Sequence, residues 1–184
     1  LPILAPEAAD RVYSFSNGVD VGYFAPDRSL RSPYAPGERA LVFTGAMDYW
    51  PNVDAVEWFT GQVFQPLHAD DPSLRFYIVG RNPSDGVKRL GERPGVVVTG
   101  GVDDVRPYVL HAAAAVAPLR VARGIQNKVL EAMAMGRPVV ASGAALEGIS
   151  ARPGEDVIRA DGAEDFRRQI RRVPIEERRL LPET

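Results

Sequence analysis

The sequence predicts an α/β domain: a doubly wound, Rossmann-like parallel sheet with helices on both faces. Three observations carry that reading. Short apolar runs alternate with helical patterns about every 25–30 residues, the spacing of βαβ units. The runs are apolar on both faces, as strands covered from both sides must be. Several of them close on glycine, at Gly45, Gly80, Gly100 and Gly101, which places turns along the carboxyl edge where such sheets bind ligands. A chain of 184 residues suits one such domain and is short for two.

The elements follow in order. Residues 1–11 carry Pro2 and Pro6 and read as a linker, because proline holds such segments extended. Val12–Ser16 is a short β-like run stopped by the turn pair Asn17-Gly18, and the Pro- and Gly-rich stretch 31–39 is a loop. Ala40–Thr44 is the first fully buried strand. Over 52–67, Val53, Val56, Trp58, Phe59, Val63 and Leu67 recur on one broad helical face, with Pro51 where a first turn tolerates it. Leu74–Val79 is the second strand, 85–91 a short helix, Gly95–Thr99 the third strand and 104–111 a helix with an acidic start. The small-residue run Ala113–Leu119 reads as a central strand. A helix over Gln126–Met135, a strand over Pro138–Ala141, a short sixth strand over Asp156–Arg159 and a polar outer helix over Ala163–Arg172 complete the pattern. The expected organisation is therefore a linker at 1–11, one Rossmann-like domain at 12–173, and a tail or truncated helix at 174–184, with neighbouring chain missing at both ends.

Composition removes several functions. A net charge of -2 supplies no basic field, so a nucleic-acid partner is not expected. The chain has no cysteine, which excludes disulfides and thiolate chemistry. The longest nearly apolar run, Ala112–Leu119, is far too short to span a bilayer, and the first residues lack the pattern of a signal peptide. His68 and His111 stand far apart in sequence and make neither a zinc site nor part of a Ser-His-Asp triad; His111 reads as a cap or core residue. Asp70-Asp71 and Asp103-Asp104 read as turn and cap acids rather than metal ligands.

The chemistry concentrates in Arg123–Val140. This segment reads as a loop, a helix carrying Glu131, a stop at Gly136 and a buried strand. A loop feeding a helix N-terminus offers free N–H groups and a positive dipole end, which suits phosphate. A carboxylate further along the same helix can accept hydrogen bonds from the vicinal hydroxyls of a sugar.

Six segments carry a family resemblance. They are Asn17-Gly-Val-Asp20 with Phe24-Ala-Pro26, then Val42–Gly45, Ile78–Gly80, Val98–Val102, Pro118–Arg120 and Leu130-Glu-Ala-Met-Ala-Met-Gly-Arg-Pro-Val-Val140. In order and spacing they resemble the donor-binding, C-terminal half of glycosyltransferase family 4, over about 12–149. The resemblance implies one half of a GT-B enzyme that moves a sugar from a nucleoside diphosphate sugar to a glycan or lipid-linked polysaccharide precursor. It implies retention of anomeric configuration and no metal or other cofactor. It also implies an N-terminal acceptor domain outside this chain, so that the chain alone binds nucleotide weakly and transfers nothing. The full enzyme is expected in the cytoplasm, at most peripheral to a membrane. The donor's base and sugar are not legible. A sugar-nucleotide epimerase half and a non-catalytic binding module are the alternatives.

The resemblance also assigns residues. Glu131 accepts from the ribose hydroxyls, and the backbone at Gly101 and Val102 meets the base. Gly45, Met47, Gly80 and Arg81 line the carboxyl edge of the sheet. Gly124, Ile125, Gln126 and Asn127 supply backbone N–H groups, while Arg123 and Lys128 meet the diphosphate, Arg123 as a bidentate fork and Lys128 as a point charge. Glu131 and Arg123 are the catalytic candidates. The bland alternatives are a solvated helix face, with Glu131 paired to Lys128 three positions away, and a plain turn at 124–127. Two departures stand out. The family places two glutamates eight positions apart, and here the first is Arg123. After Gly45 the family's cations are gone, replaced by Ala46-Met-Asp-Tyr-Trp-Pro-Asn52. Arg123 is expected to compensate for that lost charge, and the swap resembles a polysaccharide-associated branch of the family that also reads ARGIQNKVLEAMA. Asp48, Tyr49, Trp50 and Asn52 become candidates for the cleft, with Trp50 alternatively stapling the following helix.

Overall fold

The structure, a computed structural model, describes residues 18–173. The β-like run at 12–16, the linker at 1–11 and the tail at 174–184 lie outside the described residues. Six parallel strands run in the order β3-β2-β1-β4-β5-β6. They are β1 (Arg39–Thr44), β2 (Leu74–Val79), β3 (Val96–Gly100), β4 (Ala114–Ala117), β5 (Val139–Ala141) and β6 (Ile158–Arg159). The pairing aligns Leu41 with both Phe76 and Ala114, and Val140 with Val116 and Ile158. Winding outward in two directions from the β1–β4 junction gives the doubly wound topology that the alternation of strands and helices predicts.

Between strands lie α1 (Trp50–Phe59), α2 (Gln65–Asp70), α3 (Asp85–Leu90), α4 (Arg106–His111), α5 (Asn127–Ala134) and α6 (Ala163–Arg172). The helix expected over 52–67 is longer than its apolar pattern. It runs from Trp50 to Asp70, because α1 passes into α2 through a π-helical turn at Thr60–Phe64. Pro66 explains the widening. It has no N–H to give Gln62, four residues back, and its ring crowds that carbonyl. In the wide turn Gln65 N–H reaches Thr60 instead, and Arg167 of α6 donates to the freed Gln62 carbonyl at 2.6 Å. Phe59 and Trp58 pack edge-on against Phe166 of α6, and Phe59 also meets Phe76 of β2. These rings anchor one face of the sheet. The other is covered by α4 and α5 over Val42, Ala115 and Val139.

Two expected elements shrink. The helix starting at 104 begins at Arg106, because Asp104 accepts from Arg106 N–H just ahead of the first turn. The sixth strand keeps only Ile158 and Arg159: Asp156 is tied back to the Arg152 N–H and guanidinium, which curls the chain before β6. The acidic pairs resolve as local ties, with Asp71 accepting from Ser73 N–H and hydroxyl and Asp104 paired to Arg106. His111 is a correction. It is exposed, not core, and its Nε2 meets the Leu30 carbonyl at 2.8 Å.

The loops after β1 and β2 meet with no room between them. Gly45 N–H bonds to the Val79 carbonyl at 3.0 Å, and a Cβ on Gly80 would lie 1.6 Å from the Gly45 carbonyl oxygen. No side-chain adjustment relieves a clash with backbone. Gly80→Ala is therefore expected to cost more than about 4 kcal/mol or to prevent folding. Gly154→Ala, at φ 89° with open space around it, should cost only about 1 kcal/mol of backbone strain. Urea unfolding of both variants checks the contrast, and equal losses would mean the loops can part.

Candidate functional site

A cleft of about 510 Å³ opens at the carboxyl ends of the central strands, beside the β1–β4 junction. The β1–α1 loop contributes Thr44, Gly45, Ala46 and Tyr49. The turn after β2 contributes Gly80 and Arg81, and the segment after β3 contributes Gly101, Val102 and Val105. The approach to α5 closes the third side with Arg123, Ile125 and Gln126, and α5 itself adds Asn127, Lys128 and Glu131. Residues scattered from 44 to 131 in sequence thus share one crevice.

The sequence puts them there by simple means. Glycine after β1 and β2 and at the end of β3 (Gly45, Gly80, Gly100 and Gly101) lets the chain turn without a side chain in the crevice. At α5 the entry is uncapped: Gln126 occupies the cap position without a side-chain cap bond, and no acid stands in the first turn. That end of the helix keeps its positive pole uncompensated by nearby side chains. The α5 face carrying Val129 and Ala132 is buried against β4 and β5, which turns Lys128 and Glu131 towards the cleft.

Charge in the cleft is mostly unpaired. Among the described residues, neither Arg81 nor Arg123 has a side-chain hydrogen bond or ion pair, and both are exposed. Lys128 Nζ instead donates to two amide oxygens, Asn52 Oδ1 at 3.3 Å and Gln126 Oε1 at 3.2 Å, and lies 5.2 Å from the centre of the Phe43 ring. Burial lowers its proton affinity, against the pull of Glu131, to a pKa of about 8. Burial also raises the Glu131 carboxyl above the usual range, against the pull of Lys128. The side chain of Glu131 accepts no hydrogen bond from the described residues. By contrast, nearby Asp48 accepts from Asn82, and Asp54 is held by Arg120.

Most sequence-derived site residues meet in this cleft, with specific exceptions. Met47 does not line it: its side chain is fully buried in the core, its N–H bonds to the Arg81 carbonyl and its carbonyl accepts from Ser84. Gly124 stands exposed outside the lining, its carbonyl taken by Gln126 Nε2. Gly100 is the last residue of β3 and accepts from Gly80 N–H. Tyr49 reaches the rim, whereas Trp50, 58% exposed, does not line the cleft and staples nothing in the core. The sequence marks Asn52 only as a cleft candidate and gives it no partner. It is only 5% exposed, its Nδ2 donates to the Ala46 carbonyl at 2.9 Å, and its oxygen receives Lys128. The signal was a polar residue at a core position of an amphipathic helix. Among the described residues no three His, Cys, Asp or Glu side chains cluster as metal ligands. A second cavity, about 480 Å³ near the amino ends of β5 and β6, has its Asp156 carboxylate already tied to Arg152.

A family model described as glycosyl transferases group 1 matches residues 38–173. The chain belongs to the glycosyl transferases group 1 family. Its fold is that of a GT-B C-terminal domain, and solved structures share it. One is HepE of Anabaena in complex with UDP and glucose, at 14% identity and TM-score 0.65, with 85% of this chain and 45% of that one covered. Another is a glycosyltransferase from Rickettsia africae, at 16% identity and TM-score 0.67, covering 89% and 47%. A third is sucrose-phosphate synthase from Thermosynechococcus elongatus, at 22% identity and TM-score 0.66, covering 85% and 41%. The chain thus spans less than half the length of each. No curated protein matches it. No described helix is long and apolar enough to cross a membrane.

The buried ammonium of this group 1 domain has a consequence for stability. Lys128 titrates near pH 8 in the folded chain, against 10.5 for the ordinary side chain. Between those values the unfolded chain binds the extra proton, so stability must rise with pH. Without added nucleotide, the unfolding free energy should climb by roughly 1–3 kcal/mol across that window. Lys128→Met should flatten the climb in urea titrations at stepped pH. A wild-type profile falling across the window would contradict the burial of the charge.

Proposed function

We propose that this chain is the nucleotide-sugar-binding half of a retaining glycosyltransferase. The observation that carries the reading is the cleft's charge pattern. Three cations without a carboxylate ion pair, Arg81, Arg123 and Lys128, share the cleft with one partly buried carboxylate, Glu131, that lacks a hydrogen-bond donor among the described residues. A nucleoside diphosphate sugar complements both: phosphates for the cations and ribose hydroxyls for Glu131.

The chemistry follows from that placement. Transfer breaks the bond between the sugar's anomeric carbon and the diphosphate, and the electron pair stays on the diphosphate oxygen. Fixed cations stabilise this developing charge more than the ground state, which is how they accelerate the step. Arg123 is suited to bidentate contact with phosphate oxygens, and Lys128 to a single point contact. The charge is met by side chains, so we expect no metal requirement, and a chelator should leave binding unchanged. The acceptor, a glycan or lipid-linked precursor, would be held by a second domain packed over the exposed rim at Tyr49. Such an enzyme would work in the cytoplasm.

Backbone amide shifts on titration with UDP, GDP, ADP and uridine test the reading. Shifts should gather at Gly101, Val102 and 124–131 for one diphosphate, which would also identify the base. Glu131→Ala should weaken that ligand about 10- to 100-fold through lost charged hydrogen bonds. Arg123→Ala should weaken the diphosphate but not the nucleoside. Absence of shifts with every nucleotide would overturn the reading.

A further inference from the structure

The chain carries 22 lysines and arginines, and Lys88 and Lys128 are its only lysines. Everywhere else a cation is needed, arginine supplies it. Arginine cannot release its proton in a protein, whereas lysine does so readily when buried. The one lysine in the cleft is therefore the one base there that can change charge near neutral pH.

Its surroundings are built to orient the ammonium without neutralising it. Both hydrogen-bond partners of Lys128 Nζ are side-chain amides, Asn52 and Gln126, and neither carries charge. Asn52 is in turn fixed by its Nδ2 bond to the Ala46 carbonyl, and Gln126 by its Nε2 bond to the Gly124 carbonyl. The result is a hydrogen-bonded chain, Ala46–Asn52–Lys128–Gln126–Gly124, that links the β1–α1 loop to the segment before α5. Of the side chains facing it, Arg81 and Arg123 are cations, Glu131 is the single carboxylate, Tyr49 stands at the rim of the β1–α1 loop, and Phe43 and Val109 are apolar. A carboxylate at position 52 would hold the ammonium permanently and repel phosphate. The amide there does neither.

We propose that Asn52 is a positioning residue that keeps Lys128 aimed at the donor's diphosphate as a proton-exchanging ligand, so that diphosphate binding takes up a proton. This rests on the nucleotide-sugar reading above. The free cleft holds Lys128 partly neutral at mildly alkaline pH. The arriving phosphates favour the charged form, and the proton enters from solvent. Affinity for a nucleoside diphosphate then falls as pH rises through the Lys128 titration.

Lysine-selective 13C and 15N labelling of the full chain gives two side-chain signals, and Lys88→Arg assigns them. The Lys128 signal should turn over near pH 8 and move upward on adding whichever of UDP, GDP or ADP binds. Calorimetry in buffers of different ionisation enthalpy, at about pH 8.5, should find roughly half a proton or more taken up per nucleotide. Lys128→Arg, which shares every titration of the ligand itself, should lose that uptake. Asn52→Asp should raise the Lys128 midpoint and weaken the nucleotide at least about tenfold at neutral pH, from the added repulsion. Nucleotide binding with equal proton uptake in wild type and Lys128→Arg would overturn the inference and leave the donor-site reading standing. So would a Lys128 midpoint unmoved by Asn52→Asp. Binding of no nucleotide would overturn both.

Discussion

Parallel pairing of β1 with β4 is the constraint on which the rest of the molecule depends. Strands to one side wind away through β2 and β3, and strands to the other through β5 and β6. Loops leaving the carboxyl ends of β1 and β4 must therefore diverge, and a crevice opens between them whatever their sequences. What the sequence decides is how each wall is held. On the β2 side the wall is tied backbone to backbone: Gly45 N–H to Val79, Met47 N–H to Arg81, Ser84 N–H to Met47, with Asp48 and Asn82 adding a side-chain bond. The other wall is α5, packed on β4 and β5. Lys128 is the residue that reaches across, from α5 to Asn52 on α1.

Electrostatics follow from that division of labour. The chain is nearly neutral overall, yet its acids are largely engaged away from the cleft. Arg152 holds Glu155 and Asp156, Arg106 holds Asp104, and α6 carries its own pairs, Arg167 with Glu164 and Arg168 with Asp165. Exposed pairs of this kind contribute little to stability. Their effect on the cleft is larger, because an acid paired elsewhere does not neutralise Arg81 or Arg123. A local excess of positive charge therefore survives in a chain whose net charge is -2, which composition alone hides.

The strands and the helix order were legible because each buried strand is a continuous apolar run and each helix repeats its apolar face. Legibility failed where one element's fate depends on another's. The extension of α1 past Pro66 needs the π turn and Arg167 from a distant helix. The loss of half of the expected sixth strand needs Asp156 to prefer Arg152 over the sheet. Within the site, the loop–helix–acid pattern of 123–131 was readable because all its parts are local. Met47 was misplaced because apolar residues after a strand either line the crevice or plug the core below it, and only packing chooses; here it is fully buried. Asn52 was unreadable as an anchor for Lys128 because the two lie 76 positions apart.

Arg123 decides the sign of the crevice. With a glutamate there, as the family pattern has it, the crevice would hold two acids. With arginine there, Glu131 is the only acid among the cleft-lining residues, and the crevice stays positive. Arg81 and Arg123 are exposed and always charged, whereas Lys128 is desolvated and held by neutral amides. A lysine whose proton is loosely held lets the crevice shed one charge when free and recover it when an anion arrives. Replacing the acid at 123 and placing lysine rather than arginine at 128 are thus two halves of one electrostatic arrangement, and Asn52 is the side chain that keeps the second half in place.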